Sequence, residues 1–256
     1  MKRLLPLLVL LAACTAQLAP QQAGPAKSLD WYRMAAASGT PVYAVGPAAS
    51  LVAVKVGSAG PLARLGHDHV IASRNLTGYA APDAGRADVV FRADQLTVDE
   101  PELHREAGLG TQPSPQAIEG TRANMLAHVL DADRYPEIRL HAERTGAGPL
   151  RVAITLHGVT RWIELPATVH VDPAMVTASG STRLKQTDFG ITPFSVGAGL
   201  LSVRDEIEVD FKIIARRWQA PGQASVRSQR LALADPLVEL ARQSRRHMQP
   251  ELGAAP

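Results

Sequence analysis

Between residues 200 and 214 the chain alternates. Leu201, Val203, Ile207, Val209, Phe211 and Ile213 share one parity, while Glu206, Glu208, Asp210 and Lys212 take the other. A period of two marks a strand with one face buried and one in water. The same test places Val52, Val54 and Val56 on the inner face of a first strand, and Val89, Phe91 and Ala93 on that of 87–97. Ile138, Leu140 and Ala142 line another such face. Leu150, Val152, Ile154 and Leu156 alternate with Arg151, Ala153 and Thr155, and a short connection from His157-Gly158 leads to Ile163, Leu165, Ala167, Val169 and Val171. That pair predicts a hairpin. Weaker segments over 68–79 and 175–184 bring the expected number of strands to eight.

Nearly forty residues separate the third and fourth strands. Gly108, Gly110, Pro113 and Pro115 make the first part a loop, and Ile118, Met125, Leu126, Val129 and Leu130 give Gln116 to Leu130 a near-helical spacing that Tyr135-Pro136 ends. The expected fold is all-β and antiparallel, with one helical insertion between strands 3 and 4. Without repeated βα units it is a sandwich or a closed barrel. Inner positions are mostly Val, Ala, Ile and Leu, and aromatic residues are 4% of the chain. Such small filling suits an apolar cavity, although a tightly packed sandwich has the same composition.

Charge first suggests a nucleic-acid or membrane partner, because 27 Lys and Arg against 24 Asp and Glu give +3. Its distribution removes the first of these. Lys2 and Arg3 contribute +2 and residues 216–256 contribute +4, which leaves −3 on residues 14–215. No nucleic acid is expected. Met1-Lys-Arg precedes the apolar run Leu4–Ala13, too short to cross a bilayer, which needs about 20 residues. This reads as a signal peptide over 1–13. Leu11-Ala12-Ala13-Cys14 resembles a bacterial lipobox, making Cys14, the single cysteine, the candidate lipidation site; the alternative is cleavage after Ala16 with Cys14 discarded. The lipobox reading predicts an exported, periplasmic protein anchored by lipid, in the outer membrane. Residues 14–41 are expected as a flexible tether, with no fold assigned to the charge-poor stretch 15–30. Within the basic extension 216–256, Asp235-Pro236 starts a predicted C-terminal helix with Arg242, Arg245 and Arg246 toward its end.

Several motifs resemble one family. Leu156-His157-Gly158-Val159-Thr160-Arg161, Arg134-Tyr135-Pro136-Glu137-Ile138, Lys185-Gln186-Thr187-Asp188-Phe189-Gly190-Ile191-Thr192-Pro193 and Val203-Arg204-Asp205-Glu206-Ile207-Glu208-Val209 are similar to the YceI-like family over roughly 42–215. The resemblance implies an eight-stranded antiparallel lipocalin-like barrel with a helical insertion, which binds or carries a polyisoprenoid or quinone-like amphiphile and is not an enzyme. Candidate ligand contacts are then Val54, Val89, Phe91, Met125, Leu126, Leu140, Ile154, Leu156, Val169, Phe189, Val209 and Phe211. The sequence departs from the usual pattern at Gly57-Ser-Ala-Gly-Pro61 and Leu65-Gly66-His67-Asp68-His69, and in the tail beyond 216.

The residues themselves give local expectations. Gly190 permits a positive φ at a tight strand exit, Phe189 turns to the core and Asp188 caps backbone donors. His157 is expected to serve its turn. His67 and His69, two apart, fall on one side of a strand and form a candidate polar head-group or metal site; His104, Glu106 and His128 are the possible further ligands, and Arg64 and Arg74 could help meet an anionic head. A strand-edge pair bonded to neighbouring groups competes with that reading. No cofactor is expected beyond a bound isoprenoid-like lipid, and the oligomeric state is open. Gly-x-Ser-x-Gly, Cys-x-x-Cys and a phosphate-binding glycine loop are absent from the sequence, which lowers the case for an enzyme. A metal-binding protein or enzyme using His67 and His69, and a structural envelope protein with a filled barrel, remain the alternatives.

Overall fold

The computed structural model describes residues 25–219 apart from 48, 145 and 147. The signal peptide, Cys14, the first part of the tether and the expected C-terminal helix lie outside the described residues. In chain order the strands are β1 (Tyr43–Val45), β2 (Leu51–Val56), β3 (Ser58–Ala59), β4 (His69–Ser73), β5 (Thr77–Ala81), β6 (Arg86–Arg92), β7 (Thr97–Val98), β8 (Glu137–Glu143), β9 (Leu150–Leu156), β10 (Val159–Leu165), β11 (Thr168–Val171), β12 (Met175–Lys185), β13 (Ser195–Val196), β14 (Leu201–Val203) and β15 (Glu206–Arg217). Three α-helices accompany them: α1 (Pro25–Ala37), α2 (Pro101–Glu106) and α3 (Pro115–Asn124). Twelve strands form one antiparallel sheet, and β3, β14 and β13 form a small second one.

β15 is the spine. One edge pairs with β12 from Lys185↔Glu206 to Met175↔Arg216, and the other pairs with β2 through Val209↔Val54 and then with β1 through Val45↔Ala215. The ladder continues on one side through β2 to β4, and on the other through β1 to β5, β6, β8, β9 and β10. Inward parity is as predicted, with Val52, Val54 and Val56 opposite Ser73, Ile71 and His69.

The closed eight-stranded barrel is not what forms. Several predicted runs are broken into shorter strands, and the sheet is unclosed because β10 pairs with β9 while β11 pairs with β12. The partner changes at Leu165-Pro166-Ala167, where Pro166 has no N–H to give a ladder. The run 68–79 divides likewise into β4 and β5.

The insertion also differs in detail. α2 occupies part of the predicted loop, and its Leu103 packs outside the sheet on Ala53, Val70 and Ala72. α3 follows the predicted helical stretch, with Ser114 Oγ accepting the Ala117 N–H at 3.2 Å and Pro115 in its first turn. It continues as one π-helical turn, Met125–Val129.

Residues 25–37, expected within the tether, form α1 instead, and side chains are described from Ser28 onward. Helix-forming Ala, Met and Arg supply the propensity, and an aromatic anchor supplies the docking. Tyr32 is 0% exposed, stacks on Tyr79 at 5.3 Å between ring centroids and packs with Val42 and Ala81. Its hydroxyl donates to Asp88 Oδ2 at 2.8 Å; Ser28 Oγ and Arg86 Nε donate to the same oxygen at 2.9 and 3.0 Å. His141 Nδ1 lies 2.6 Å from Asp88 Oδ1. Burial pushes the Asp88 carboxyl up, but bonds from His141, Tyr32 and Ser28 with the Arg86 charge outweigh it and hold the group well below the usual carboxylate range. The bond to Asp88 raises the His141 imidazole against its own burial.

The β9–β10 hairpin turns on two residues, His157 and Gly158, with φ of 51° and 74°. Positive φ at both central positions is the type I′ signature, which matches the twist of the strands. His157 serves the turn as expected, its ring meeting Tyr135 edge to face at 4.6 Å.

Two predictions follow from these contacts. Gly158→Ala would place a Cβ 2.5 Å from the Tyr135 ring at a left-handed φ, so urea unfolding should show a loss of about 1–3 kcal/mol. A loss under 0.3 kcal/mol would contradict the turn. Asp88→Asn should cost about 1–3 kcal/mol near pH 6. A lowered Asp88 stabilises above the ordinary carboxylate pKa, near 4, and the gain fades as pH falls through its depressed folded value; a raised His141 stabilises below about 6.5 and the gain fades as pH rises through its elevated one. The wild-type advantage over Asp88→Asn, read from thermal melts, should therefore be greatest between about pH 4 and 6.5. A pH-independent difference would be the contrary result.

Candidate functional site

Each inward parity of the main sheet faces one chamber of about 740 Å3. Val45, Val52, Val89, Leu140, Ile154 and Ile163 line one side, Val169, Val176 and Ala178 the other, and Val209, Phe211 and Ile213 lie along the spine. From Ile207 to Ala215 the wall follows eight residue steps of β15, about 26 Å at roughly 3.3 Å each. The space is thus long as well as apolar. Met125, Val129 and Leu130 of the π turn and its exit also line it.

Ten of the twelve predicted apolar contacts stand on this wall: Val54, Val89, Phe91, Met125, Leu140, Ile154, Leu156, Val169, Val209 and Phe211. Leu126 and Phe189 do not. Leu126 packs against the core cluster, and Phe189, 1% exposed, fills a second cluster with Val152, Leu165 and Ile191. Phe189 therefore turns to the core as its motif suggested, and Gly190 has φ 72°. Asp205 supplies the caps at that strand exit, accepting the Thr187 N–H at 2.9 Å and the Thr187 hydroxyl at 2.7 Å. Those backbone and hydroxyl bonds lower the Asp205 carboxyl. The capping role expected of Asp188 belongs there to Asp205.

Polar groups gather toward the ends of the chamber. Strand register puts the β5–β6 and β8–β9 connections at one end, where Asp83 and Arg144 line it. At the other end the small sheet carries Ser58 and Ser202 to the wall, joined by His67, His69, Thr182 and Gln186. Gln186 is buried, and its Nε2 donates to the Arg204 carbonyl at 2.8 Å. The rim here exposes Leu62, Leu65, Val196 and Leu200.

His67 and His69 thus reach the same chamber, although only His69 lies in a strand. His69 Nδ1 is 2.7 Å from Oδ2 of Asp99, whose Oδ1 accepts the Val70 N–H at 2.9 Å. Asp99 is 1% exposed and was missed in the sequence. The available signal was an Asp between Thr97-Val98 and Glu100-Pro101, a place where Asp tolerates the left-handed backbone, and its φ is 50°. His104 is buried on α2, Arg74 is paired with Glu100 at 3.1 Å, and Arg64 is exposed. Among the described residues no three His, Cys, Asp or Glu side chains assemble as metal ligands, so His104, Glu106 and His128 do not complete a site with the pair.

The fold has counterparts among solved structures. A polyisoprenoid binding domain from Saccharophagus degradans superposes with a TM-score of 0.50 at 14% identity, covering 69% of this chain and 98% of that one. BcnA of Burkholderia cenocepacia gives 0.44 at 16% identity, covering 67% and 99%. No curated protein sequence matches significantly. Residues 43–215, from the start of β1 almost to the end of β15, match the YceI-like domain, and the chain belongs to the YceI-like family.

Proposed function

We propose that the protein binds or carries a long apolar amphiphile, a polyisoprenoid or quinone-like chain, inside the sheet. One observation carries the reading: a chamber of about 740 Å3 whose apolar wall runs the length of β15. Small-molecule sites commonly measure about 300–1,000 Å3, and each CH2 moved from water to such a wall contributes about 0.8 kcal/mol. An extended hydrocarbon fits this shape better than a compact polar substrate does. The fold shared with a polyisoprenoid binding domain supports the same ligand class. The site takes up a lipid and performs no chemistry on it.

The setting we propose is the periplasm, with the mature chain held to the outer membrane through acylated Cys14. Lys2, Arg3, the apolar run and Leu11-Ala12-Ala13-Cys14 support it. An anchored binder of this kind holds its ligand close to the membrane that supplies it.

Organic extraction of the purified protein followed by mass spectrometry should recover an isoprenoid-type lipid in near-stoichiometric amount. Ala178→Trp, which fills the wall beside β15, should lower that yield at least fivefold with the circular dichroism spectrum retained. Equal recovery from both proteins would overturn the cavity assignment. Cys14→Ser should abolish incorporation of labelled palmitate and move the protein from the membrane to the soluble fraction; continued labelling would remove Cys14 as the anchor.

A further inference from the structure

One imidazole in the apolar chamber is held by a built support. His69 stands on β4 opposite Val56 of β2, with inward-facing Ile71 two residues along. Behind it Asp99 is fixed on three sides. Its own N–H donates to the Val70 carbonyl at 2.8 Å, its carboxylate accepts the Val70 N–H, and Gln112 Nε2 donates to its carbonyl at 2.7 Å. A carboxylate can only accept, so His69 Nδ1 is the nitrogen that gives its proton to the bond with Asp99. Nε2 has no protein partner among the described residues.

We infer that His69 is the head-group anchor of the chamber, positioned by Asp99, and that the head it takes is neutral and carries a hydroxyl. This rests on the apolar-ligand reading above. Neutral, Nε2 accepts from a hydroxyl; protonated, it donates to the same hydroxyl's oxygen. A phosphate head needs a surplus of positive charge, best from guanidinium groups in bidentate contact. Here the Asp99 carboxylate stands directly behind the ring and offsets its charge. Of the neighbouring cations, Arg74 pairs with Glu100 and Lys55 with Asp210 at 3.3 Å, Arg204 Nε is held by the Ser58 carbonyl at 3.1 Å, and neither these nor the exposed Arg64 line the chamber. The anionic head considered from the sequence is thereby disfavoured.

The test uses full-length protein freed of endogenous lipid and three probes: farnesol, squalene as a hydrocarbon without a head, and farnesyl phosphate. Binding is read by displacement of a fluorescent lipid. His69→Leu should weaken farnesol about tenfold, the worth of one hydrogen bond, and leave squalene within about twofold. His69→Gln, which restores a polar partner for the hydroxyl, should recover at least about threefold of that loss. In the unmodified protein the His69 Nε2 nitrogen resonance should move with farnesol and not with squalene, and Asp99→Asn should reduce that movement. The anchor is overturned if His69→Leu weakens both neutral probes equally, if the resonance is indifferent to farnesol, or if farnesyl phosphate binds more tightly than farnesol. Failure of squalene and farnesol alike to bind the unmodified protein would instead overturn the cavity reading, and the anchor with it.

Discussion

Everything in this molecule hangs on the pairing of β15. Its twelve residues hold β12 on one edge and β2 and then β1 on the other. Its alternation then sets both sides of the sheet. Ile207, Val209, Phe211 and Ile213 face inward, and Glu208 and Asp210 face out toward Lys55. A slip of one residue would turn acidic side chains into the chamber, so the register is strongly specified.

A chamber deprives the sheet of part of the packing that a filled interior would give. Apolar clusters at both faces offset this. Phe189 with Val152, Leu165 and Ile191 consolidates one region, α2 covers Ala53, Val70 and Ala72 from outside, and α1 covers Val42 and Ala81 through Tyr32. Small branched side chains along the wall keep the middle open, because fixed strand spacing prevents a sheet of Val, Ala and Ile from collapsing on itself.

Strand parity was legible because it is local: the inward residues of β2, β6, β8, β9 and β15 follow directly from alternation. Closure was not. Whether β10 meets β12 depends on Pro166 and on the partner each half of 159–171 chooses, which alternation does not encode. α1 was obscured because its docking relies on Asp88, a wet-face residue on a strand sixty positions after Ser28. His67 and His69 were visible as a pair, but Asp99, which orients one of them, is thirty residues from His69 and carries no motif. The apolar wall of the chamber was more legible, since parity decides most of its residues; helix geometry and a turn place Leu126 and Phe189 elsewhere.

The pairing of β1 with β15 also has a kinetic meaning. Tyr43 is opposite Arg217, so the first strand of the sheet, which pairs with β5 on its other edge, cannot complete its second ladder until almost the whole domain has been made. Chains dominated by such distant contacts fold slowly, because the entropy of closing the loop is lost before the contact repays it. Local hairpins such as β9–β10 can form early, while β1 and β2 wait with unpaired edges. The completed sheet is therefore the last event in the life of the nascent chain, and a chain cut before residue 206 would lack the strand on which three others depend.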